Sequence, residues 1–144
     1  MKLALDGWLV WALLSALFAA LTAILAKIGV GGVDSDLATL VRTAVILVVG
    51  GLIAAFLGKL GGLGAIGGRS WLFLTLSGLA TGASWLCYFR ALKLGEASRV
   101  APVDKLSVVF VAVLGALLLG ESLGPKGWIG IALIAAGAVL VALP

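Results

Sequence analysis

The sequence predicts an all-α integral membrane protein with five transmembrane helices, and three observations carry that expectation. Hydrophobic residues fill 63% of 144 positions and charged residues 11%, with a mean hydropathy of +1.30. A soluble domain of this size needs far more polar surface. The apolar residues fall into five runs, each close to the roughly 20 residues that a helix needs to cross about 30 Å of hydrocarbon. The breaks between the runs are short and rich in glycine and charge: GGVDSD, KLGGLGAIGGRS, KLGEASRV and ESLGPK.

The first run, Trp8 to Val30, follows Met1 and Lys2. It is longer than the apolar core of a signal peptide and four more spans follow, so it is expected to be retained. The second helix is placed at Leu37 to Gly58, the third at Trp71 to Leu92, the fourth at Pro102 to Gly120 and the fifth at Gly127 to Leu143. The glycines of KLGGLGAIGGRS precede no Lys-Ser or Lys-Thr, so they match no phosphate loop and are expected to form a flexible connection. Trp8, Trp11, Trp71 and Trp128 stand at span ends, where aromatic belts form.

The same composition bears on function. Histidine is absent, and no Cys or carboxylate cluster has metal-ligand spacing. Cys87 is single, cannot form an internal disulfide, and is expected to be a small buried residue. The chain is therefore not expected to be an enzyme, nor to hold a metal or cofactor. A net charge of +4 would raise nucleic acid as a partner for a soluble protein. Here the basic residues flank apolar spans, so the partner is the lipid bilayer and no nucleic acid is expected.

Five spans put the termini on opposite sides. Lys2, Lys59, Arg69 and Lys126 flank one side; Lys27, Lys93 and Arg99 flank the other, with Arg42, Arg90 and Lys105 set deeper on that second side. Loop residues give four against three, and the deeper residues change this to four against six. A bias that small does not fix an orientation, so dual topology stays open.

Lys27, Arg42, Arg90, Asp104 and Lys105 all lie toward the same membrane side. Lys27 and Arg90 are close enough to a helix end to snorkel. Arg42 and Lys105 lie a turn deeper, where pairing and function are equally good explanations. Asp104 is too short to snorkel far. Placed in the first turn of a helix that starts at Pro102, it would meet the positive end of the helix dipole. Adjacent helical residues do not face each other, which makes Lys105 a poor partner and Lys27 or Arg42 a better one. On the third helix, Ser77, Thr81, Ser84 and Tyr88 share one face with Trp85 beside them, a stripe suited either to interhelical hydrogen bonds or to a solute path. The fifth helix carries Gly130 and Gly137 on one face and Ala132 and Ala136 as a second row, a packing surface between protomers.

The run YFRALKLGEASRVAPVDKLSVVFVAVLGALLLGESLGPKGWIGIALIAAGAVLVAL, Tyr88 to Leu143, resembles the second half of the repeat in the drug/metabolite transporter superfamily, the EamA-type domain. ALFAALTAILAKIGV and DSDLATLVRTAVILVV resemble its first half, so the likeness spans nearly the whole chain. Most members carry two repeats and ten helices. This chain carries one, like the five-span bacterial and archaeal branch. GIALIAAG is also similar to the glycine heptad at the dimer interface of small multidrug resistance proteins, which corresponds to Gly130 and Gly137. Those transporters place a glutamate in the first helix, whereas this one has Ser15 and Thr22 and no acid, leaving Asp104 as the deep carboxylate.

The resemblance implies a single five-helix domain over residues 1–144, one half of an inverted-repeat transporter completed by homodimerisation, parallel or antiparallel. Its expected function is export of a small drug or metabolite by alternating access in the cell (inner) membrane. The solute is expected between protomers, against Ser84, Trp85 and Tyr88 and the group Lys27, Arg42, Asp104 and Lys105. The alternative is a non-transporting accessory subunit, or a component of a lipid-carrier flippase.

Overall fold

A computed structural model describes residues Gly7 to Leu143; Lys2, counted above among the flanking charges, lies outside them. The described chain is helical throughout its regular structure: α1 (Gly7–Val30), α2 (Ser35–Phe56), a short 3-10 helix (Leu60–Ala65), α3 (Gly68–Leu94), α4 (Ala97–Asp104), α5 (Ser107–Leu114), a π-turn (Gly115–Leu119) and α6 (Pro125–Ala142). The stretch from α4 through the π-turn makes one 23-residue span, so among the described residues five helices are long and apolar enough to cross a membrane. Phe56, Leu47 and Leu118 are largely exposed, as are most large apolar side chains. In a bilayer that surface faces lipid. The protein is a multi-pass membrane protein.

The local sequence explains most helix ends. Asp34 caps α2: its Oδ1 accepts from the backbone N–H of Asp36 at 2.9 Å and of Leu37 at 3.2 Å, two donors that have no partner inside the helix. These bonds hold the Asp34 carboxyl below its usual value of 3.8, with smaller help from Lys93 and Arg90. Because the folded value is the lower one, the stabilisation is complete above about 3.8 and is lost as pH falls through the folded value. Asp34→Ala should therefore lower the unfolding midpoint in detergent at neutral pH and flatten its fall in acid, while Asp34→Asn should keep the cap and lose only the pH dependence. At the other end of α2, Gly58 takes φ +66°. Its N–H donates to the Ala55 carbonyl and that of Lys59 to the Ala54 carbonyl, both at 2.9 Å, the paired bonds of a Schellman cap.

The fourth span departs from expectation. It begins at Ala97, five residues before Pro102, so Pro102 lies inside α4 and Asp104 is its last residue. Glu96 starts the helix, its carbonyl accepting from Arg99 at 3.0 Å and Val100 at 2.9 Å. Pro102 has no N–H to give back to the preceding turn, and its ring crowds the carbonyl there. Two residues later the α-helix ends. The chain rewinds through three-residue turns, Leu106 N–H to Val103 carbonyl, Val108 to Lys105 and Val109 to Leu106, at 2.9–3.0 Å. Asp104 thus sits at the end of a short helix, where the dipole does not favour an acid, instead of in a first turn.

Two smaller differences follow. The KLGGLGAIGGRS connection carries the 3-10 helix Leu60–Ala65. Cys87 is exposed on α3 where a buried residue was expected, because the face turned inward holds Phe89 and Leu92.

The described residues divide into two compact units: Ala26–Lys93 in one, and residues 7–25 with 94–143 in the other. In the second unit α4 and α5 both pack against α6, with Ala138 buried. In the first, Val30, Phe89, Leu92, Ser35 and Thr39 are buried.

Candidate functional site

In the Ala26–Lys93 unit three helical faces converge. α1 contributes Lys27 and Val30; α2 contributes Ser35, Thr39 and Arg42 at spacings of four and three; α3 contributes Trp85, Phe89 and Leu92 at spacings of four and three. The buried hydroxyl of Thr39 donates to the Ser35 carbonyl of its own helix at 2.9 Å, so no polar group there is left wanting.

The polar groups form two tiers. At the outer tier Arg90 Nη2 donates to both carboxylate oxygens of Asp36 at 3.2 Å. Lys93 donates to the Val33 carbonyl at 2.9 Å, and Lys27 to the Leu92 carbonyl at 2.6 Å, capping the end of α3. The inner tier is Arg42, about two turns or roughly 10 Å into α2. Its guanidinium carbon stands 4.2 Å from the Trp85 ring centroid and 5.5 Å from that of Phe89. Cation–π contacts are worth about 0.5–2 kcal/mol, whereas an arginine at the bilayer centre costs about 2.5–3.5 kcal/mol on insertion scales. The aromatic faces thus offset part of the cost.

In the other unit Asp104, half-buried, pairs with Lys105 at 3.1 Å. This is the neighbour expected to be a poor partner, in place of Lys27 or Arg42. The reason is the break after Asp104: the regular helix that would splay adjacent side chains ends there, and the long Lys105 stem reaches back. Gly130 and Gly137 lie on α6, and a Cβ at either would meet nothing within 4 Å, so their row is open.

The structure therefore groups Arg42 with Trp85 and sets Lys27 and the half-buried Tyr88 in the same unit. Asp104 and Lys105 form a pair of their own. Ser84 is exposed, and the Thr81 hydroxyl bonds back to the Ser77 carbonyl at 2.9 Å, within α3 instead of to a neighbouring helix. Sequence reading missed Asp36 and Phe89. Asp36 was signalled by the charge of Arg90 at the same membrane side, and Phe89 by its place one turn beyond Trp85.

Comparison with known proteins agrees with this architecture. Residues 6–143 match the EamA-like transporter family. A Sinorhizobium protein described as an uncharacterized transporter in the cobO 3' region is 62% identical over 138 residues, covering 96% of this chain and 98% of the relative. No solved structure matches. A five-span helical membrane protein, matched over nearly its whole length, belongs to the EamA-like transporter family.

Proposed function

We propose that this membrane transporter is a small-molecule exporter of the cell (inner) membrane, working by alternating access as a homodimer whose two copies insert oppositely. The observation that carries the reading is the fourth span, broken between Asp104 and Ser107 with an ion pair at the break. Irregular backbone at membrane depth is tolerated where protein buries it or where it lines a watery cavity. Discontinuous helices of this kind hold the solute and coupling-ion sites of many secondary transporters. A π-turn closes the same span, with Gly115 buried and its carbonyl accepting from the Glu121 N–H at 3.1 Å. A span made of three short pieces suits a moving element better than a static strut.

An odd number of spans makes two oppositely inserted copies the equivalent of an inverted repeat, and the near-balanced flanking charges permit both insertions. The five helices act as a single transporter domain, and Gly130 and Gly137 on the open face of α6 supply the contact between copies. Gly130→Leu or Gly137→Leu should cut crosslinked dimer in native membranes several-fold, because a large side chain holds the backbones apart. Undiminished dimer in both variants would place α6 against lipid. A reporter fused to the C-terminus should score on both sides of the membrane; a single clean orientation would reject the antiparallel pair.

A further inference from the structure

We infer that Arg42, seated on Trp85 and Phe89, is an oxyanion-binding group, and that its ligand is an organic anion: a carboxylate or phosphate on an apolar body. The inference rests on the transporter reading and names its substrate class. Four cations gather at this end of the Ala26–Lys93 unit, Lys27, Arg42, Arg90 and Lys93, against two carboxylates, Asp34 and Asp36. Both carboxylates are engaged: Asp34 caps α2 and Asp36 accepts from Arg90. Among the described residues the ion pairs are Asp36–Arg90, Glu96–Arg99 and Asp104–Lys105, and Arg42 is in none of them.

Arg42 stacks on two rings, with Tyr88 of α3 also near it. A ring meets the guanidinium through its π-face and takes up little of the donor fork, which is shaped for two oxygens of a carboxylate or phosphate. Arg42 also lies deeper than the capped and paired cations of the outer tier, in a part of the span where water is scarce. Trp85, half-buried beside it, offers an apolar wall for the body of the ligand. An anion arriving there gains a charge-assisted bond and relieves the uncompensated charge of Arg42 at the same time. A cation arriving there would add to that charge.

The test uses the purified full chain in phosphatidylcholine nanodiscs, with labelled benzoate and benzylammonium as probes of equal size and opposite charge. Benzoate should bind saturably and benzylammonium at least about tenfold more weakly, and Arg42→Gln should weaken benzoate by about tenfold or more. Arg42→Lys keeps the charge, loses the fork and should fall between the two. A chain whose other tryptophans are replaced by phenylalanine locates the event, since Trp85 emission should then shift with benzoate occupancy. If the shift needs phosphatidylglycerol instead of benzoate and is lost with Arg42→Gln, the same oxyanion site is filled by a lipid headgroup. Benzylammonium binding as tightly as benzoate in the unaltered chain overturns the inference without any variant. Exchange of an organic cation by proteoliposomes with no binding of benzoate overturns it too and leaves the transporter reading standing. Failure to bind either probe overturns the inference, and counterflow by the chain alone then decides the transporter reading.

Discussion

Asp104→Asn is expected to yield a protein that inserts and dimerises yet moves solute at least about tenfold more slowly. The magnitude follows from losing a charge-assisted interaction, worth about 1.5–3 kcal/mol. Asp104 is half-buried at the break in the fourth span and held by Lys105 at 3.1 Å. A carboxylate in that position has a cation it can leave and rejoin as solute arrives. Exchanging the two residues separates a structural pair from a working one. Asp104→Lys with Lys105→Asp should restore stability, because the pair is regained, and should not restore flux, because the carboxylate then points elsewhere. Flux counted per folded dimer is the measurement, and normal flux in the Asn variant would remove Asp104 from the mechanism.

Leu92→Ala should have the largest effect on folding. Leu92 is 0% exposed, and Val30 and Phe89 of the same unit are buried as well. Truncating a buried leucine costs about 2–5 kcal/mol in soluble proteins. In lipid the lost quantity is van der Waals packing, since acyl chains are as apolar as the side chain removed, which puts the expectation at the low end of that range, about 2 kcal/mol. The Leu92 carbonyl would still accept from Lys27, so the loss measures the side chain alone. Leu94→Ala is the control: Leu94 is 84% exposed, and its unfolding midpoint should not move.

The five spans were legible because the bilayer imposes one length on every helix, and runs such as Trp8–Val30 stand out against charge and glycine. Their ends were less legible where capping decides them. Asp34 starts α2 two residues before the apolar run does, through bonds to N–H groups that hydropathy does not register. Pro102 misled for a physical reason, since proline is welcome at a helix start and harmful inside one. Here it lies inside, and the helix breaks soon after. Arg42 and Trp85 were both legible as unusual residues, but their contact was not, because it depends on the register of α2 against α3. The Asp104–Lys105 pair was hidden by the assumption of a regular helix through the break.

On the function proposed above, one five-span chain suffices for transport, by copies that open alternately to the two sides. Counterflow in proteoliposomes containing the purified chain alone tests it most directly: vesicles are loaded with unlabelled solute and uptake of trace labelled solute is followed. Alternating access predicts a transient overshoot of label, driven by exchange, that saturates with internal solute and falls with Gly137→Leu. Absence of overshoot, or flux that appears only when a second membrane protein is added, would contradict a self-sufficient transporter and make the chain an accessory subunit.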